Sequence, residues 1–189
     1  MPTMNDPNGS PAAVLSNGFQ LTYAAQMDMS AHAADEGNAY SILYSGDPGG
    51  TDADFLYIKN STDKLLRIYK IKLYCTVDVE LTIVTGVTGT PTNTTTVTPV
   101  NALVGSGNTA GEVGDFYSRA GDLALTGGSN FDSLIYDFPT AGGAEMIYDY
   151  PAEITIMKNQ ALVFNNVTDP NANIRLSVYF YYHEAVEKP

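Results

Sequence analysis

Residues 173–183, Asn-Ile-Arg-Leu-Ser-Val-Tyr-Phe-Tyr-Tyr-His, divide by parity. Ile174, Leu176, Val178, Phe180 and Tyr182 form one set; Arg175, Ser177, Tyr179, Tyr181 and His183 form the other. Successive side chains of a strand point to opposite faces. The period of two therefore predicts a long β-strand with one apolar face and one tyrosine-rich face. Val77, Val79, Leu81 and Ile83 against Asp78, Glu80, Thr82 and Val84 repeat that period and predict a strand over 77–84.

Shorter apolar runs predict strands over 19–23, 39–44, 55–59, 65–74, 134–138, 146–150, 154–157 and 161–165. Clear turns separate several of them: Gly46-Asp47-Pro48-Gly49-Gly50 and Asn60-Ser61-Thr62-Asp63. Residues 24–37, rich in Ala and Met and ending Asp35-Glu36-Gly37, predict a short helix. Residues 85–98 are nearly all Thr, Gly, Pro and Asn, an exposed loop. Residues 105–130 carry seven glycines with Phe116, Tyr117, Leu123 and Leu125 among them, which predicts a long ordered excursion containing one short strand. Pro2, Pro7 and Pro11, with Asn, Gly and Ser between them, make residues 1–18 an extended arm. The fold class expected is all-β: one antiparallel β-sandwich, jelly-roll-like, over 19–189, preceded by the arm.

Composition agrees, since Thr, Gly, Asn and Tyr are plentiful and β-branched and aromatic residues suit a pleated surface. The formal charge of −12 argues against nucleic acid as a partner and against anionic membrane surfaces. Residues 1–58 hold no Lys or Arg, while five of the nine basic residues, Lys59, Lys64, Arg67, Lys70 and Lys72, fall within fourteen positions. Such a stripe reads either as a surface for an acidic neighbour or second copy, or as a lysine-protected strand edge. The odd face of the last strand reads as a second core wall, a subunit interface or a sugar platform, and the absence of Trp counts against the third. The candidate interface residues are thus Lys59, Arg67, Lys70, Lys72, Arg175, Tyr179 and Tyr181. No run approaches the length of a membrane span, and the opening residues do not form a secretory signal, so synthesis in a reducing cytoplasm is expected. Cys75, the one cysteine, reads as a buried inert thiol.

Catalytic chemistry is not evident. The two histidines, His32 and His183, lie far apart in the chain, and no motif predicts that the fold joins them. Gly105-Ser106-Gly107 lacks a strand–helix setting, and no phosphate-binding glycine pattern occurs. Asp137, Glu145, Asp149 and Glu153 are neighbours of the type glycoside hydrolysis uses, but that chemistry needs a defined pair with one raised pKa. Two loops offer calcium-type oxygens: Asp47, Asp52 and Asp54, and Asp169, Asn171 and Asn173. Calcium takes about six to eight oxygens, and neither loop completes an EF-hand; both read better as turns in which Asp and Asn bond their own backbone. No enzyme, no metal and no cofactor is expected.

Five stretches in order carry a family likeness: Asp35-Glu36-Gly37-Asn38-Ala39-Tyr40-Ser41, Phe55-Leu56-Tyr57-Ile58-Lys59-Asn60, Thr96-Val97-Thr98-Pro99-Val100-Asn101, Gly105-Ser106-Gly107-Asn108-Thr109-Ala110 and Tyr182-His183-Glu184. Across 35–184 the chain resembles small β-rich structural proteins of tailed bacteriophages. That group has no catalytic motif to carry over. The resemblance implies a virion component made in the host cytoplasm. The first expectation is a capsid decoration (cement) protein, a homo-oligomer with a trimer favoured, which binds the major capsid protein through its arm and basic stripe. The second is a tail or fibre protein that binds a host surface glycan through the 85–130 loops.

Overall fold

The computed structural model describes residues 29–111, 115–119, 121–138, 144–168 and 173–184. The arm of 1–18, the strand expected at 19–23 and most of the loop at 169–173 lie outside them. The chain is an antiparallel β-sandwich, with a short helix, α1, ahead of its first described strand. In order, the elements are α1 (Met29–Asp35), β1 (Ala39–Gly46), β2 (Ala53–Lys59), β3 (Leu65–Cys75), β4 (Val79–Thr88), β5 (Thr95–Thr96), β6 (Val100–Asn101), β7 (Phe116–Ser118), β8 (Thr126–Tyr136), β9 (Met146–Ile156), β10 (Ala161–Asn166) and β11 (Ile174–His183). One sheet has five strands in the order β6-β1-β11-β3-β9; the other has six, β5-β7-β2-β10-β4-β8. The eight long strands pair as nested partners: β1 with β11, β2 with β10, β3 with β9 and β4 with β8.

The alternation of β11 appears as predicted. Ile174, Leu176, Val178, Phe180 and Tyr182 point into the core between the sheets, where Phe180 stacks on Phe116 and Tyr40. Burying a side chain of this size stabilises the fold by about 1.5–3 kcal/mol. In β3 the inward set changes parity, from Leu66 and Ile68 to Ile71, Leu73 and Cys75. The change marks a bulge at Tyr69, where the register slips against both β11 and β9. The Cys75 thiol is buried.

Several boundaries differ from expectation. β4 begins at Val79 and runs to Thr88, so Val77 stays partly exposed ahead of it. The runs at 146–150 and 154–157 are one strand, β9, because the backbone absorbs extra residues in a bulge where Glu153 adopts φ 51°. β8 starts at Thr126, inside the stretch expected to be an excursion; the Thr-rich loop of 85–98 contains β5, and β6 follows just after it. The single short strand expected within 105–130 is β7.

α1 closes by glycine chemistry. Gly37 sits at φ 70° and its N–H donates to Ala34 O at 3.0 Å, while Asn38 N–H donates to Ala33 O at 2.7 Å. The cap turns the chain into β1 and seats Ala33 on Ala39 and Tyr181. Among the described residues, no helix is long and apolar enough to cross a membrane.

Candidate functional site

The odd-parity side chains of β11 lie on the outer face of the five-stranded sheet, and register extends them into rows. Val100, Ser41, Tyr179, Lys70 and Asp149 follow one another across β6, β1, β11, β3 and β9. Beside that row run Leu43, Ser177, Lys72 and Ile147. Six of the seven candidate interface residues therefore belong to this face: Arg67, Lys70, Lys72, Arg175, Tyr179 and Tyr181. Lys59 does not, because β2 lies in the opposite sheet.

Within the face the candidates have different environments. Tyr181 is fully buried by the chain itself, under Ala33 of α1, and its hydroxyl donates to Glu153 Oε1 at 2.5 Å. Burial, with Glu153 beside it, pushes that phenol well above its ordinary range. Arg67 Nη1 donates to the other oxygen of Glu153 at 2.9 Å, which raises the guanidinium pKa further. Tyr179 is half-buried, with Lys72 Nζ 5.7 Å from its ring centre. Arg175 is exposed and makes no ion pair with a described residue.

The basic stripe meets its acidic neighbour in the same sheet. Lys70 pairs with Asp149 at 3.4 Å and Lys72 with Glu145 at 3.1 Å, and Arg67 pairs with Glu153 as above. Exposed pairs of this kind add little stability. Their effect is to cancel charge, leaving Arg175 as the cation this face presents to a partner. Leu43, Val100 and Ile147 remain 55%, 67% and 54% exposed around it. Tyrosine, one arginine and exposed aliphatic side chains on a broad sheet face match what protein partners bury.

Glu145, Asp149 and Glu153 are each held by a basic side chain of β3. On the other sheet, the Asp54 carboxyl is raised above its ordinary range. Burial raises it, a hydrogen bond from Asn165 Nδ2 at 3.0 Å opposes the shift, and nearby Asp122 adds to it. Asp54 lines a polar groove of about 470 Å³ on the six-stranded sheet with Asp52, Glu80, Asp122, Asn130 and Asn165. Among the described residues, no basic side chain lines that groove. In the loop before it, Asp47 accepts from Gly49 N–H at 2.8 Å, the backbone turn expected of it. Among the described residues no group of three His, Cys, Asp or Glu is placed to hold a metal.

The fold does unite the histidines. His32 from α1 and His183 from the end of β11 line one pocket of about 390 Å³ with Glu36, Lys64 and Glu184. His32 Nε2 lies 3.3 Å from Glu36, and Lys64 pairs with Glu184 at 2.8 Å. Among the described residues no serine or cysteine lines this pocket. Sequence reasoning missed the pairing because it depends on α1 folding back over the last strand. Comparison with known proteins returns no matching family model, no matching curated protein and no matching solved structure.

Proposed function

We propose that this chain is a non-enzymatic virion structural protein of jelly-roll form, a decoration protein that binds the outer shell of a tailed-phage head as an oligomer. The observation that carries the reading is the nested pairing of the eight long strands, first with last through fourth with fifth. Rolling up one long antiparallel hairpin produces that order, and the resulting architecture recurs in viral capsid and lectin domains. Fold alone does not select between those two uses. The ordered stretches that resemble those of phage structural proteins support the particle, as does a broad outer face that suits a protein partner. A trimer suits three-fold positions on a shell.

The test is co-sedimentation of the purified protein with phage heads stripped of it. Deleting residues 1–18 should abolish binding and leave the unfolding transition unchanged. Arg175→Glu should weaken binding several-fold, because Arg175 is the cation this face leaves without a described ion-pair partner. Unaltered binding by both variants would contradict the proposal.

The polar groove favours a second reading, a tail or fibre protein that binds a host surface glycan, since Val87, Asp122, Leu125 and Asn130 of the 85–130 region help to line it. A glycan array without hits, together with normal adsorption of phage carrying an exchanged 85–130 segment, excludes that reading.

A further inference from the structure

The loop after β6 ends in an exposed apolar tip. Val104 is 96% exposed, and Leu103 and Val100 are exposed beside it. A lone exposed aliphatic residue is ordinary. This tip is a group, and the chain holds it in one shape. Ala102 N–H donates to Ala39 O at 2.9 Å, and Ser106 N–H donates to Leu103 O at 3.0 Å. The second bond closes a turn with Val104 at its corner and Gly105, at φ 87°, next to it. Asn101 braces the turn: its Oδ1 accepts from Leu103 N–H at 2.8 Å, and its Nδ2 donates to Gly37 O at 2.8 Å. Asn108 Nδ2 donates to the same Gly37 O at 3.2 Å. A surface fixed in advance loses little conformational freedom when it binds.

The far edge of the same sheet offers a matching hollow. Among the described strands, β6 and β9 are the two edges of the five-stranded sheet. The last residues of β9 line a groove of about 440 Å³ with Phe131 of β8, and Ile154, Ile156, Met157 and Ala161 make it largely apolar. Phe131 and Met157 are exposed there. Charge singles out these two surfaces. At −12, copies of this chain repel one another over most of their surface. Residues 100–110 hold no charge. Among the described residues that line the groove Glu153 alone is charged, and Arg67 and Tyr181 already engage it.

We propose that the Leu103–Val104 tip of one copy seats in the β8–β9 groove of the next, joining copies edge to edge in a head-to-tail ring. The contact is heterologous, so each copy uses one tip and one groove, and a closed ring leaves neither over. Three copies make the ring; only that number rests on the proposed function. The outer face with Arg175 stays free for a shell.

Sedimentation of the purified full chain, with no particle present, tests the contact. The unaltered chain should sediment as a trimer. Val104→Asp in the tip and Met157→Asp in the groove should each weaken association by about tenfold or more, because each drives a charge into an apolar contact. Both positions are exposed in the single copy, so both variants should keep the circular dichroism of the unaltered chain. Mixing the variants is the decisive step. Val104→Asp copies retain the groove and Met157→Asp copies retain the tip, so together they should form heterodimers that neither forms alone. A monomeric unaltered chain overturns the proposal, and the tip then serves a different protein. A trimer that both variants leave intact overturns it too, as does a mixture that stays monomeric. Shell binding by a monomeric chain overturns this contact and leaves the proposed function standing.

Discussion

Asn60 has no access to solvent, and its side-chain amide makes four hydrogen bonds within the chain. Nδ2 donates to Lys64 O at 2.7 Å and Ile156 O at 2.9 Å; Oδ1 accepts from Thr62 N–H at 3.1 Å and Thr62 Oγ1 at 2.8 Å. One side chain thus shapes the β2–β3 turn and ties it to β9. Removing it leaves buried carbonyls without donors, so Asn60→Ala should lower stability by about 3 kcal/mol. Asn60→Asp should be no milder, since it replaces a donor with an acceptor facing two carbonyls. Urea unfolding checks both, and a loss below about 0.5 kcal/mol would remove Asn60 from this role. Sequence marked 60–63 as a turn, because Asn, Ser, Thr and Asp all bond backbone locally. It did not mark Asn60 as buried, because its partner Ile156 lies 96 positions away. Tyr181 shows the same limit. Its parity was legible, but its enclosure depends on α1 and its hydroxyl on Glu153, both remote in sequence.

At the scale of elements, legibility followed burial. β11 declared itself because one face is core along its whole length. β8 did not, because it is an edge strand whose first eight residues are exposed, with Gly, Ser and Asn where a buried strand would alternate. Two tyrosines of β9 reach this strand: Tyr148 OH donates to Ile135 O at 2.5 Å and Tyr150 OH to Asp132 Oδ2 at 2.8 Å. Glycine shapes the start of this strand. Gly128 has φ 93°, and a Cβ there would meet Val84 Cγ1 at 2.7 Å and Thr85 O at 3.0 Å. Gly128→Ala therefore combines a left-handed backbone with a clash in the β4–β8 pair, and should cost about 2–3 kcal/mol. Gly105 has φ 87° but open space around its Cβ position. Gly105→Ala should cost only the backbone strain, about 1 kcal/mol. Equal thermal shifts for the two variants would show that the contact with β4 is not what requires glycine.

At the scale of the molecule, the sandwich and its antiparallel strands could be read in advance, but the nested pairing could not. Which strand adjoins which is decided by contacts across most of the chain, and no local period encodes them. The pairing also converts a stripe that looked basic into a largely neutralised face, because β9 brings Glu145, Asp149 and Glu153 to β3. What that face leaves for a partner is Arg175, part of Tyr179 and three exposed aliphatic side chains, and those features underlie the proposed role on a shell. The proposed role predicts that this chain is a component of tailed-phage virions, and the most direct test is to count it in purified virions by quantitative mass spectrometry against the major capsid protein. A decoration protein predicts copies of the same order as the shell subunit. Absence from the particle would contradict the account.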